Sequence, residues 1–226
     1  MIEFPEVKLG SNFYAPKEFD ISSFARRYLK SKALIGLSLF SKFNEFEKES
    51  FERIISGDFE EVMVSLFDYY LEVERDTAGY LLAWVMALSG KMKEADELLH
   101  DLVSRRSLLG YTGMLRGLVV LDAHKYFQAK ELFQMSETMR SEEKIGVQRT
   151  EDFAVINFLI GVSYYGLFEY KLAREFLVKA LTISVKVTDA FSLLHNLVDD
   201  VDKPVLAKAK VLLKGSEEEL FFDFAR

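Results

Sequence analysis

The sequence predicts an all-α protein built as an array of antiparallel helix pairs, and three observations favour this fold class. Only three prolines occur in 226 residues, and two of them lie within the first sixteen. The interior is dense in Leu, Phe, Ala, Glu and Lys, most of which are good helix formers. Alanines also recur in similar surroundings at a spacing that fits two helices per unit.

Helix ends are expected where the chain carries glycine, turn residues or a residue that lacks a backbone donor. Such features occur at Gly57, at Gly90, from Ser107 to Gly110, around Gly146 and at Asp202-Lys203-Pro204. The stretches between these breaks have lengths that suit single helices or helix pairs.

The period is set by four alanines in similar segments, Ala95, Ala129, Ala173 and Ala207. Their spacings are 34 (129 minus 95), 44 (173 minus 129) and 34 (207 minus 173). A unit of 34 residues with two helices cannot bury its own apolar face and must stack on a neighbour. The spacing of 44 contains ten additional residues.

The segment "NFLIGVSYYGLFEYKLAREFLVKAL" resembles a tetratricopeptide repeat (TPR). Gly161, Tyr164, Ala173 and Ala180 match the small, aromatic, small, small pattern of that family. The resemblance implies a TPR-like α-solenoid, a right-handed array of helix pairs. Gly161 and Ala173 are expected where the two helices of one unit cross, because axes about 8–10 Å apart leave no space for a branched side chain.

The predicted organisation has four parts. An N-terminal extension covers residues 1–20, and a leading helical segment covers 21–42. TPR-like repeats follow over 43–221, in units of about 43–75, 76–109, 110–143, 154–187 and 188–221. A capping helix over 216–226 closes the chain, with Ser216 as its N-cap and Glu219 as the capping-box partner.

The ten additional residues, Lys144 to Phe153, are predicted to form a surface loop, because loops accept insertions at little cost. A lip that touches a partner is the alternative. Thr150 or Asp152 could cap the helix that follows.

The resemblance also places the first helix of each unit on the concave face. The residues that it implies there are almost all apolar, and we predict that seven of them bind a partner: Tyr80, Trp84, Met114, Leu118, Phe158, Val162 and Tyr165. Trp84 could equally be a core residue.

Two segments, "AGYLLAWVMAL" (78–88) and "AVINFLIGVSYYGLF" (154–168), are apolar nearly all round, and a helix of that kind is buried on both sides. Stacking explains one side only. Three covers for the other side are possible: the ends of the chain, a second copy or a different protein. Among the ends, residues 2–14 resemble an extended strap and the C-terminal cap offers Phe221, Phe222 and Phe224.

Composition argues against several function classes. A net charge of −7 disfavours a nucleic-acid surface, because phosphate binding requires Lys and Arg; the pair Arg26-Arg27 is expected to be solvated or ion-paired. The absence of cysteine and the three isolated histidines predict no metal site and no cofactor. His124 is expected at an exposed corner. No signal peptide or membrane segment is evident, which predicts a cytoplasmic protein, and scarce Gln and Asn favour a thermophilic source.

These observations together predict a non-enzymatic adaptor or scaffold that binds a helix or an extended segment of another protein in an apolar concave groove. The alternative is a self-associating structural protein that uses the same face as a homodimer interface. An enzyme with a site assembled from scattered residues is disfavoured, because no catalytic motif occurs in the sequence.

Overall fold

The described part of the computed structural model is helical and contains no strand. It comprises residues 20–30, 34, 37–142, 148–184, 190, 193–194 and 197. The chain divides into two compact units, of which one contains the helices before residue 144 and the other those after it. The predicted extension (1–20, except Asp20), most of the last repeat unit (188–221) and the capping helix (216–226) lie outside the described residues.

Among the described residues, eight helices belong to the first of these units and two to the second. In chain order they are α1 (Ile21–Leu29), α2 (Leu37–Phe40), α3 (Glu45–Ser56), α4 (Phe59–Val73), α5 (Asp76–Leu88), α6 (Met92–Ser104), α7 (Leu109–Asp122), α8 (Tyr126–Glu142), α9 (Gln148–Gly166) and α10 (Tyr170–Ile183). Successive helices from α4 to α8 pack on each other, as do α9 and α10. This is the predicted all-α architecture of helix pairs. The exact limits of the repeat units stay a prediction. None of the described helices is both long and apolar enough to cross a membrane.

The helix ends follow from local chemistry at the predicted breaks. Asn44 and Glu47 form a capping box at the start of α3, and Gly57 ends that helix with φ of 90°. Gly90, with φ of 82°, separates α5 from α6. Between α6 and α7 the turn uses Arg106 and Leu108 in the left-handed region, with φ of 58° and 47°. Glycine is therefore not required at every sharp corner of this chain.

The close helix crossings are confirmed. A Cβ atom added to Gly161 would lie 3.0 Å from Leu177 Cγ and 3.2 Å from the carbonyl oxygen of Ala173. At the corresponding place in the preceding unit, a Cβ atom on Gly117 would overlap the ring of Phe133. Both glycines lie on the first helix of a pair and face the second. Small residues at this position let the two helices approach each other.

The predicted loop from Lys144 to Phe153 is wrong in its second half. Helix α9 begins at Gln148, so positions 150 and 152 lie inside it and neither is its N-cap. The physical reason is that no helix breaker follows Gly146, and "VQRTEDF" runs directly into the apolar stretch that forms the rest of α9. Residues 143–147 lie outside the described part.

A buried carboxylate fixes the start of α5. Glu47 is fully buried and accepts hydrogen bonds from Arg75 Nε (2.9 Å), Thr77 Oγ1 (2.6 Å) and the backbone N–H of Asn44 (2.8 Å). The Glu47 hydrogen bond raises the pKa of Arg75. These contacts join the first turn of α3 to the turn between α4 and α5. They orient α5, on which two of the predicted binding residues lie.

We expect Glu47→Ala to lower the free energy of unfolding by about 1–3 kcal/mol, because Thr77 and the capped N–H lose their acceptor in a buried place. Urea unfolding followed by circular dichroism measures the change. Glu49→Ala, at an exposed position of the same helix, is the control and should change stability little. Equal effects of the two substitutions would contradict a structural role for the Glu47 contacts.

Ala173→Leu is expected to destabilise the α9–α10 pair by about 1–3 kcal/mol, since overpacking at a close crossing forces side chains and backbone apart. Ala173 is fully buried, and its carbonyl lies beside Gly161. Thermal melting of Ala173→Leu should be compared with that of Glu175→Leu, which adds a similar volume at an exposed position two residues away. An unchanged melting temperature in Ala173→Leu would mean that the crossing is not close.

Candidate binding face

Helices α5 and α7 carry almost no polar side and are buried all round. Every residue of α5 from Thr77 to Val85 is buried, and so is every residue of α7 from Gly110 to Leu121. The buried Arg116 of α7 is the one charged side chain in these two stretches, and its Nε lies 2.8 Å from Asp96 Oδ1 on α6. The two helices are therefore enclosed by neighbours on all sides, as the apolar sequences predict.

All seven predicted binding residues are buried, none of them more than 9% exposed. Four of them, Tyr80, Trp84, Met114 and Leu118, lie on α5 and α7 of the first compact unit. The other three, Phe158, Val162 and Tyr165, lie on α9 of the second unit. Burial raises the pKa of Tyr165, whose ring centroid is 5.5 Å from that of Tyr170.

We call the surface formed by Tyr80, Trp84, Met114 and Leu118 the α5–α7 face. The Tyr80 and Tyr111 rings meet edge to face with centroids 6.5 Å apart, which links α5 to α7. Met114 and Leu118 follow Tyr111 by three and seven residues, so they continue along the same side of α7. Asp122, four residues after Leu118, ends this row.

Helix α1 of the same chain packs on this face. It contacts both α5 and α7. Its buried residues, Ile21, Ala25, Tyr28 and Leu29, recur at the spacing of one helical side. Of the covers that the sequence leaves open, an early segment of the chain itself therefore occupies the α5–α7 face. This helix, α1, belongs to the predicted leading segment 21–42.

The C-terminal end of α1 and Leu34, which follows it, are held by side chains of the face. Trp84 Nε1 donates a hydrogen bond to the carbonyl oxygen of Leu29 (2.7 Å), and Tyr80 OH donates to that of Leu34 (2.9 Å). Both bonds are buried. The last carbonyls of a helix have no partner within it, so Trp84 satisfies an acceptor that would otherwise be lost on burial.

The other side of Trp84 is packed by aromatic rings. Phe51 of α3 stacks on Trp84 with centroids 6.0 Å apart, and Phe40 lies edge-on to Phe51 at 5.5 Å. Trp84 is thus a core residue of this compact unit. A role for Trp84 as an anchor for another protein stays a prediction.

The N-terminal end of α1 is held by a polar seam at the end of α7. Ser22 Oγ donates to the Asp122 carbonyl oxygen (2.9 Å), and Arg26 Nε donates to Asp122 Oδ1 (2.9 Å). His124 is exposed, as predicted, and its Nε2 lies 3.3 Å from Ser22 Oγ. The Arg26 side chain is 67% exposed, so this ion pair contributes only about 0–1 kcal/mol. The pair orients α1 more than it stabilises the fold.

No group of three or more acidic or histidine side chains in the described residues could hold a metal ion. Sequence reasoning missed both the docking of α1 and the Glu47 contacts. One sequence signal could have predicted one of the Glu47 contacts: Asn44 and Glu47 have the spacing of a capping box.

Trp84→Phe should lower the free energy of unfolding by about 1–3 kcal/mol, because the Leu29 carbonyl stays buried without its donor. Urea unfolding measures the effect. Tyr80→Phe removes the equivalent bond to Leu34 at almost unchanged volume and is the matched comparison. Full stability of both variants would contradict the view that these bonds hold α1 on the face.

Comparisons with known proteins bear on the fold. No protein-family model matches the chain, and no curated protein matches it. A solved structure described as "MamA RS-1 ArsTM double mutant" shares 15% identity with this chain, covering 80% of it and 99% of the MamA chain with a TM-score of 0.61. A second structure, MamA 41-end from Desulfovibrio magneticus RS-1, gives 16% identity, coverage of 81% and 99%, and a TM-score of 0.61. MamA is a TPR-like helical protein. The chain therefore has a TPR-like helical fold, and at this identity the likeness shows the fold alone.

Proposed function

We propose that this protein is a non-enzymatic adaptor or scaffold whose apolar face binds a helix or an extended segment of another protein. The observation that carries the proposal is the docking of α1 on the α5–α7 face. That face holds α1 through one apolar side and the buried bond from Trp84 to the Leu29 carbonyl, and Tyr80 binds the Leu34 carbonyl beyond the helix. A helix from a partner could use the same contacts.

The way α1 is held supports its exchange for a partner helix. It is nine residues long, whereas isolated helices shorter than about 12–15 residues are marginal in water. Its helical state therefore depends on the face that it covers. A partner helix of greater length would bury more apolar surface and replace it.

The partner-binding residues that we propose are Tyr80, Trp84, Met114 and Leu118 on the α5–α7 face. Phe158, Val162 and Tyr165 on α9 are proposed to bind in the same way. The competing candidate is a homodimer through the same face, in which a second copy supplies the helix that displaces α1. A net charge of −7 on each copy opposes this alternative at low salt.

A substitution that loosens α1 tests the proposal. Ala25 is fully buried on the side of α1 that meets the face, and a glutamate there would place a charge in an apolar contact. We expect Ala25→Glu to leave the helical content nearly unchanged and to make the face available. A labelled synthetic peptide of residues 20–34 should then bind Ala25→Glu, as measured by fluorescence anisotropy, and should bind the wild-type protein at least about tenfold more weakly.

Ser23→Glu is the matched control, because it adds the same charge at an exposed position of α1. It should behave as the wild type does. Combining Ala25→Glu with Trp84→Phe should weaken peptide binding again. A peptide that binds none of these proteins would contradict the proposed helix-binding face. Light scattering over a range of concentrations separates the two candidates, since only the homodimer predicts that Ala25→Glu increases self-association.

A further inference from the structure

A second surface of the molecule is apolar and open to solvent. Six large hydrophobic side chains are exposed among the described residues, and four of them belong to α4. Val64, Phe67 and Leu71, at 60%, 46% and 62% exposure, follow one another at i, i+3 and i+7. They therefore lie in one row along one side of the helix, which we call the α4 stripe. Single exposed apolar residues are common on protein surfaces, but a row of three marks an association site.

The charges that α4 and its two caps carry are all negative. Residues 58–74 contain six acidic side chains and no Lys or Arg. Asp68 and Glu72 directly follow Phe67 and Leu71 in the sequence, which places both carboxylates on the same side of the stripe. Neither forms an ion pair with any residue that the structure describes. Both are exposed.

The stability of α4 does not explain these carboxylates. Acidic residues near the C-terminal end of a helix oppose its dipole, and like charges at i and i+4 repel each other, each effect costing a few tenths of a kcal/mol. Asp68 and Glu72 have that spacing, and Glu74 stands at the C-cap in the left-handed region with φ of 49°. The early acids are different, because Asp58 and Glu61 both pair with Arg53. The acids of the C-terminal half thus weaken the helix, and neither Asp68 nor Glu72 gains an ion pair among the described residues.

We propose that the α4 stripe docks a basic amphipathic helix of another protein. Its apolar residues at i, i+3 and i+7 would pack against Val64, Phe67 and Leu71, and Lys or Arg beside them would pair with Asp68 and Glu72. The spacing of the stripe is that of helix-to-helix recognition, and the flanking charges select a partner of opposite sign. A second copy of this acidic chain fits less well than a basic partner. This surface is separate from the α5–α7 face, whose residues are buried.

The test uses the full-length protein and two synthetic probes. Each probe is a labelled amphipathic peptide as long as α4, with leucines along one side. One carries lysines beside the leucines and the other carries glutamates. We expect the lysine probe to bind in fluorescence anisotropy, and to bind at least about tenfold more tightly than the glutamate probe at about 0.1 M salt.

Two pairs of variants locate the binding. Phe67→Gln and Leu71→Gln should each weaken the lysine probe about tenfold, while Phe127→Gln, at another exposed phenylalanine on α8, should not. The double variant Asp68→Asn with Glu72→Gln should weaken the probe at about 0.1 M salt and much less at about 1 M, where charges are screened. Glu94→Gln with Glu97→Gln on α6 removes the same two charges elsewhere and should have no effect.

Several results would overturn the proposal. The first is a lysine probe that does not bind, or that binds equally well after Phe67→Gln and Leu71→Gln. The second is equal binding of the two probes. The third is a concentration-dependent dimer that does not bind the lysine probe and that Leu71→Gln converts to a monomer. That result would make the stripe an interface between two copies of the chain. Trp84→Phe should leave probe binding unchanged, so failure here and failure of the α5–α7 face are distinguishable.

Discussion

The burial of α5 on every side is the constraint on which the rest of this compact unit depends. A helix with no polar side must be enclosed, because any open side would expose aromatic and aliphatic groups to water. Each neighbour covers a different side. Tyr70 of α4 closes over Gly79, Phe51 of α3 stacks on Trp84, Tyr111 of α7 meets Tyr80, and the end of α1 lies over the Trp84 and Tyr80 side chains. Helix α1 depends on α5 in turn, because nine residues do not hold a helix by themselves. The face and its cover are thus stabilised together.

The helix pairs could be predicted from the sequence because their cause is local and repeated. A close crossing excludes side-chain volume, so Gly117, Gly161 and Ala173 had to be small, and their positions disclose the period. The sequence also predicted that α5 must be covered on its second side, since an apolar helix is not left exposed to water. The sequence did not predict which segment covers it. Trp84 binds the carbonyl of Leu29 at the end of α1 and Tyr80 binds that of Leu34 beyond it, and a carbonyl oxygen carries no sequence signal.

The polar contacts around α1 could not be predicted from the sequence either. Arg26 pairs with Asp122, and Arg27 lies over the rings of Phe24 and Tyr28 at 4.6 Å and 5.8 Å from their centroids. The expectation of a solvated or ion-paired arginine pair is confirmed for Arg26, but its partner is 96 residues away in the chain. Glu47 and Thr77 are likewise 30 residues apart. Pairs of this kind are fixed by the packing of helices, which single-sequence patterns do not describe. The prediction of a loop at the start of α9 was wrong for the opposite reason. It followed the expected repeat length, whereas the local residues from Gln148 onward favour a helix.

A comparison of the outer helices α4 and α6 shows which surface features the fold requires and which it does not. Both are second helices of a pair, and both bury one side against the unit. On α6 the charged residues include Lys93 beside four acids, and two of these acids are paired locally, Glu97 with Lys93 and Asp101 with Arg105 at the C-cap. This composition is expected of a side that only faces water. The α4 helix has the same architectural role, yet it exposes three apolar side chains in a row and carries only acidic charges. Helix α6 shows that the fold accepts a basic residue and local ion pairs at this place, so the packing of the described helices does not account for the composition of α4.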